Sequence, residues 1–179
     1  MFQTFGDGVD HPLSKRADAS IEESAIAFVQ SRVGVDAKAV HLRSKFEGDV
    51  SRVIYFKQQV NGVPVANAVA NVAFNKANKI SAFGSSFLKP KKTAAARPSV
   101  SVQEAIATAE KLLDGTHTAD LPAPELEYFA KDDGSLVLTH SFQVHNEEAG
   151  TAYEAFIDAH TGELVSVVDF VAQATVSLF

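Results

Sequence analysis

The sequence predicts an α+β fold in two tandem units, each one helix packed on an antiparallel sheet of about four strands. Three observations carry this. "SIEESAIAFVQSRVG" at 20–34 and "SVQEAIATAEKLLDG" at 101–115 echo each other in start, length and end. Each is followed by alternating, β-branched segments separated by turn signals. Between the two halves lies "KPKKTAAARPS", 89–99, with two Pro and four basic residues. A helix followed by a run of strands gives α+β architecture, and the long period suits two tandem domains rather than a solenoid. The predicted divisions are an extended leader at 1–19, a first unit at 20–88, a basic linker at 89–99, a second unit at 100–171 and an extended tail at 172–179.

The leader holds Gly, Asp and Pro with no periodicity, and ends near the dibasic pair Lys15–Arg16. Ser20 followed by Glu23 fits a capping box. Ile21, Ala25, Phe28 and Val29 then share one helical face, and Gly34 can end the helix. VHLRSKFEG alternates, RVIYFKQQV is β-branched and aromatic, and Asn61-Gly62 signals a hairpin. The next strand, NGVPVANAVANVAFN, places Ala66, Ala68, Ala70, Val72 and Phe74 on one face. Val65, Asn67, Val69, Asn71, Ala73 and Asn75 fall on the other. The small alanines suit close approach of the helix. The asparagines need a reason, because their amides compete for backbone hydrogen bonds and are depleted in strands. NKANK turns the chain and ISAFGSSFL returns it.

In the second half Ser101 and Glu104 repeat the capping box, and Gly115 lies near the helix end. PELEYFAK, an Asp133-Gly134 turn, SLVLTHSFQVH, a turn at NEEAG, TAYEAFIDA, a His160-Thr161-Gly162 turn and ELVSVVDFV complete the second sheet. The tail, FVAQATVSLF, is apolar and lacks a turn signal. It either docks as an added strand in a groove or folds back on its own sheet.

The 179 residues are 46% hydrophobic, enough to bury a core, and carry a net charge of -6. That charge argues against nucleic acid or an anionic membrane as the main partner. No apolar run approaches the roughly 18 residues of a membrane span. The start shows no charged segment followed by an apolar one, so no signal peptide is visible. Absence of cysteine rules out disulfides and thiol catalysis.

A search for chemistry finds no catalytic constellation. The six histidines, at 11, 41, 117, 140, 145 and 160, form no H-E-x-x-H or other ligand spacing on a helix. His140 and His145 lie five apart on one predicted strand and so face opposite sides. They read as solvated or singly hydrogen-bonded. G-x-S-x-G and phosphate-loop motifs are missing, and Asp132-Asp133-Gly134 reads as a turn rather than a calcium loop. The function is therefore expected in the surfaces. A ligand carrier or enzyme using the concave face of a sheet is the rival, and needs a deep pocket with convergent polar groups.

Long motifs resemble one family. "YFKQQVNGVPVANAVANVAFNKANKISAFGSSF" looks like the core of the propeptide of fungalysin-type secreted zinc metallopeptidases. "YEAFIDAHTGELVSVVDFVAQAT" looks like its end, and "DGVDHPL" like its leader. The resemblance implies two cystatin-like units, the first of the fungalysin/thermolysin-propeptide type and the second PepSY-like. It implies secretion, a non-catalytic chain without cofactor, and a fungalysin-type catalytic domain as partner, where the only zinc would reside. The implied role is to assist folding of that domain and to inhibit it, with Val171, Ala172, Gln173, Ala174 and Thr175 running through its cleft. Processing would fall at Gln173–Ala174, and Lys15–Arg16 is a further candidate. The alternative is a free-standing chain that inhibits or binds metallopeptidases in trans. For the asparagines two readings follow. Asn67, Asn71 and Asn75 either solvate the outer face and discourage wrong pairing, or dock that face on the peptidase, since an amide donates and accepts without burying charge.

Overall fold

The computed structural model describes residues 1–171. The chain divides into two compact units, Met1–Pro90 and Lys91–Phe179.

The first unit is built around one helix, α1 (Ile21–Val33). Ser20 accepts the Glu23 N–H, and the Glu23 carboxylate accepts the Ser20 N–H, so the capping box is complete. Gly34, left-handed at φ 75°, closes the helix. Its strands are β1 (Phe2–Val9), β2 (Val40–Glu47), β3 (Arg52–Val60), β4 (Val63–Phe74) and β5 (Ile80–Ser85). β2 to β5 form an antiparallel meander, and β1 adds to the far edge of β5, giving the order β1-β5-β4-β3-β2. Ala25, Phe28 and Val29 of α1 pack on Ile54, Phe56, Ala70, Val72, Phe74, Ile80 and Phe83. Phe28 meets the ring of Phe83 edge-on at 5.3 Å.

Two details differ from the sequence expectation. The leader is extended, but Phe2–Val9 is a paired strand rather than a free arm. The signal was hidden because the pairing is with β5, far along the chain. Val65, assigned to the asparagine face, is fully buried. Across the β3–β4 register shift one residue of β3, Gln58, stands opposite four of β4, 65–68, and the three extra residues flip the alternation. Gln58 is also buried: its amide donates to Leu88 O at 2.7 Å and accepts from Leu88 N at 3.0 Å.

The second unit has the same order of parts. α2 (Val102–Leu113) is followed by an antiparallel meander of β7 (Glu125–Ala130), β8 (Ser135–Asn146), β9 (Thr151–Asp158) and β10 (Leu164–Asp169). A two-residue strand, β6 (Lys92–Thr93), runs parallel to the start of β8. Ala105 and Ala109 pack on Phe142, Val144, Ala155 and Ile157. The left-handed cap falls on Asp114, not Gly115. Gly115 serves instead for close approach, since a Cβ there would lie 2.8 Å from His145 O.

The predicted linker is not slack. Lys91 N–H donates to Gly134 O and Ala94 N–H to Leu136 O, while the Tyr128 hydroxyl donates to Ala94 O at 2.7 Å. Two histidines fasten its end. His140 Nε2 donates to Val100 O at 2.7 Å, and His160 Nε2 to Ala95 O at 2.9 Å. Because a carbonyl only accepts, His160 Nδ1 in the neutral ring accepts from the Ser99 hydroxyl, 3.0 Å away. His160 is thus doubly bonded, more than the solvated or singly bonded ring that the sequence suggests. Composition could not reveal this, because each partner is a backbone carbonyl or hydroxyl distant in sequence.

Candidate functional site: the outer face of the first sheet

The face of the first sheet opposite α1 carries a row that crosses all five strands. Ser44 pairs with Tyr55, Tyr55 with Asn71, Asn71 with Gly84, and Gly84 with Phe2. Alternation puts these residues outside because their neighbours Ile54, Phe56, Ala70, Val72 and Phe83 are in the core. Gly84 makes room for its neighbour, since a Cβ there would lie 2.7 Å from Asn71 Oδ1 and 3.3 Å from Phe2 Cδ2. The Asn71 amide makes no hydrogen bond to the described residues. Around it, Phe2, Arg43, Tyr55, Val69 and Ser86 line an open hollow of about 480 Å³. Phe2, Tyr55 and Val69 are exposed. The surface therefore combines apolar side chains with an uncommitted amide and the Arg43 guanidinium. Such a composition can bury area against another protein while meeting its backbone.

The other asparagines differ. Asn67 is exposed at the start of the same face, and its carbonyl accepts from the Ser86 hydroxyl at 3.1 Å. Asn75 is turned inward to the fold. Its Nδ2 donates to Asp7 O at 2.8 Å, and its Oδ1 accepts from Ala77 N and Lys79 N. Asn75 thus holds the β4–β5 turn and ties it to β1, which leaves it little to offer a partner. The regular spacing of the three asparagines does not correspond to one shared role.

Lys15 and Arg16 are exposed on a turn between β1 and α1. Arg16 N–H donates to Leu13 O, and the Arg16 guanidinium pairs with Asp18 at 3.3 Å. Its hydrogen bond holds the Asp18 carboxyl below the usual range. Arg16, Arg52 and Lys79 also line a second hollow of about 450 Å³ beneath this turn, together with Asp10.

At the other end, β10 stops at Asp169, whose carboxylate accepts the Val171 N–H at 3.0 Å. Val171 is exposed, and its backbone is helical rather than extended, because the Asp169 side chain supplies a cap-like acceptor there. Ala172, Gln173, Ala174 and Thr175 lie outside the described residues. Among the described residues no group of three or more His, Asp or Glu is placed to hold a metal, and no helix is long and apolar enough to cross a membrane.

Comparison with known proteins says what the chain is similar to. The Fungalysin/Thermolysin Propeptide Motif matches residues 51–87, the stretch containing Tyr55, Asn71 and Gly84. Extracellular metalloproteinase 10 of Coccidioides posadasii is 32% identical over 151 residues, covering 70% of this chain and 24% of its own length. Extracellular metalloproteinase 3 of Arthroderma otae is 29% identical over 154 residues with the same coverage. The chain thus spans 24% of the length of these curated relatives. Among solved structures, the Bacillus megaterium YpeB C-terminal domain aligns with a TM-score of 0.46 at 16% identity, covering 85% of this chain and 66% of that one. The motif and the two metalloproteinase alignments support the expected resemblance: the chain is similar to the propeptide of fungalysin-type metallopeptidases.

Proposed function

We propose that this chain is a non-catalytic, secreted prodomain of a fungalysin-type zinc metallopeptidase, built of two cystatin-like units. It assists folding of the catalytic domain and keeps it inactive. Its first unit docks through the outer face around Asn71, Asn67 and Tyr55. Its end, Val171 to Thr175, occupies the partner's active-site cleft, where backbone hydrogen bonds fix the register. Cleavage near Gln173–Ala174 separates the two and leaves fewer contacts to sustain inhibition.

The observation that carries this reading is the coincidence of the propeptide motif, 51–87, with the strands that present the open Asn71 amide and its apolar surround. The test mixes the chain with a mature fungalysin-type enzyme and follows peptide hydrolysis, comparing the full chain with one ending at Asp169. The full chain inhibits; the shortened chain folds and inhibits at least about tenfold less well. Equal inhibition by both removes the tail from the mechanism.

A further inference from the structure

β1 is an edge strand held by an interrupted ladder. Phe2, Gln3 and Thr4 pair with Gly84, Phe83 and Ala82, and pairing resumes only at Val9 opposite Ile80. The bulge between them passes through Gly6 and Gly8, at φ 56° and 102°. Yet this segment covers much of the first core. Phe5 packs edge-on against Phe28 at 6.1 Å, with Arg32 over its ring at 5.2 Å. His11 stands against Phe74 at 6.0 Å, and Asp7 O accepts from Asn75.

Besides these side-chain contacts, the cover is joined to the helix through the turn around Lys15–Arg16. Lys15, Arg16 and Ala17 are all exposed. The Arg16–Asp18 pair is a surface contact, too weak to withhold the guanidinium from an acidic pocket. The helix has its own cap at Ser20, beyond the pair, so a break here leaves α1 intact.

We propose that Lys15–Arg16 is a processing site for an endoprotease with acidic pockets for paired basic side chains, and that the cut releases β1 from the first unit. Hydrolysis breaks the Arg16–Ala17 amide. Water gives its hydroxyl to the Arg16 carbonyl carbon and a hydrogen to the Ala17 nitrogen. A strand that was held intramolecularly then becomes a separate peptide, and loses an effective concentration on the order of millimolar. With its ladder interrupted it dissociates on dilution. Departure leaves the β5 edge unpaired and uncovers Phe28 and Phe83. The site is thus a proteolytic release for the first unit, and this holds whichever protein the outer face binds.

The test digests the native full chain with a Lys-Arg-specific endoprotease, with Lys15→Ala/Arg16→Ala as the uncut control. Mass spectrometry is expected to show one cut, after Arg16, and size exclusion at low micromolar concentration to separate the released segment. Amides of Ile80–Ser85 then exchange at least about tenfold faster than in the control, and excess synthetic β1 peptide restores their protection. Resistance to cutting without denaturant overturns the proposal. So does a cut chain that keeps its segment bound with unchanged exchange in β5.

Discussion

The side-chain amide of Asn71 lies over the bare α-carbon of Gly84, its partner across β4 and β5. A single added methyl at Gly84 would sit 2.7 Å from Asn71 Oδ1. One glycine therefore gives the amide its place, and the amide is left without a partner among the described residues. Tyr55 and Phe2 extend the same row outward on both sides.

If that row docks on a catalytic domain, Asn71→Leu keeps the fold and weakens the complex. The change replaces a half-exposed side chain, so unfolding stability shifts by less than about 0.5 kcal/mol. Affinity falls roughly fivefold or more, the worth of one interfacial hydrogen bond. Calorimetric titration against the catalytic domain measures it. Unchanged affinity for both Asn71→Leu and Gly84→Ala returns the asparagines to a merely solvating role.

Gln58 is a different case, because its amide is consumed within the fold. It meets both the N–H and the C=O of Leu88, and so fixes the chain where it leaves the first sheet. Gln58→Met keeps the volume and strands both backbone groups. The expected loss is about 2 kcal/mol in urea unfolding. A loss near zero means that water reaches Leu88 freely.

The two helix starts allow a matched comparison. Ser20 and Ser101 each accept the N–H three residues on, at 3.1 and 3.2 Å. At Ser20 the Glu23 carboxylate also returns a bond to the cap backbone. Ser20→Ala and Ser101→Ala each lose about 1 kcal/mol. The bond that Glu23 returns comes from the backbone N–H of residue 20, which alanine keeps, so Glu23→Ala is the variant that removes it and Glu104→Ala is its matched control. Chemical denaturation is expected to show the larger loss for Glu23→Ala; equal losses remove the reciprocal bond as a source of stability.

Acid should weaken the fold through its turn carboxylates. Asp133 accepts from the Ser135 hydroxyl at 2.6 Å and the Ser135 N–H at 2.9 Å, which holds its carboxyl below the usual range. Thr118 does the same for Asp120, and the Glu22 carboxyl is lowered first by its own backbone N–H and then by Lys45. A carboxylate depressed in the folded state contributes stability above its unfolded value, near pH 4, and loses it as pH falls through the lower folded value. Urea midpoints between about pH 5 and pH 2 should therefore decline. Asp133→Asn keeps an acceptor but does not titrate, so its decline is shallower. An identical slope in the variant would falsify the assignment to this turn.

The elements written in local chemistry were legible. Capping residues marked both helices, and Asn61-Gly62 turned with φ of 54° and 74°, as such a pair allows. The alternation that put Ala66, Ala68, Ala70, Val72 and Phe74 inside β4 is correct from Ala68 onward, while Ala66 is only partly buried. The candidate site was legible only in part. The sequence singled out Asn71, but it also grouped Asn75 with it, and it could not see Gly84 or Phe2 as neighbours. The leader and linker misled because both are rich in residues that read as loop, and both are held by partners far along the chain.

What the sequence by itself determined is the local code: two capped helices, the turns between strands, the alternating faces, and a resemblance to fungalysin-type propeptides. Tertiary structure alone decided that Phe2–Val9 closes the first sheet, that 91–100 is stitched to the second unit by His140 and His160, and that Asn75 braces a turn while Asn71 stays open. The reason is physical. Helix caps and turns are fixed by groups a few residues apart, whereas an edge strand or a side-chain bond to a distant carbonyl exists only once the chain has brought its partner alongside.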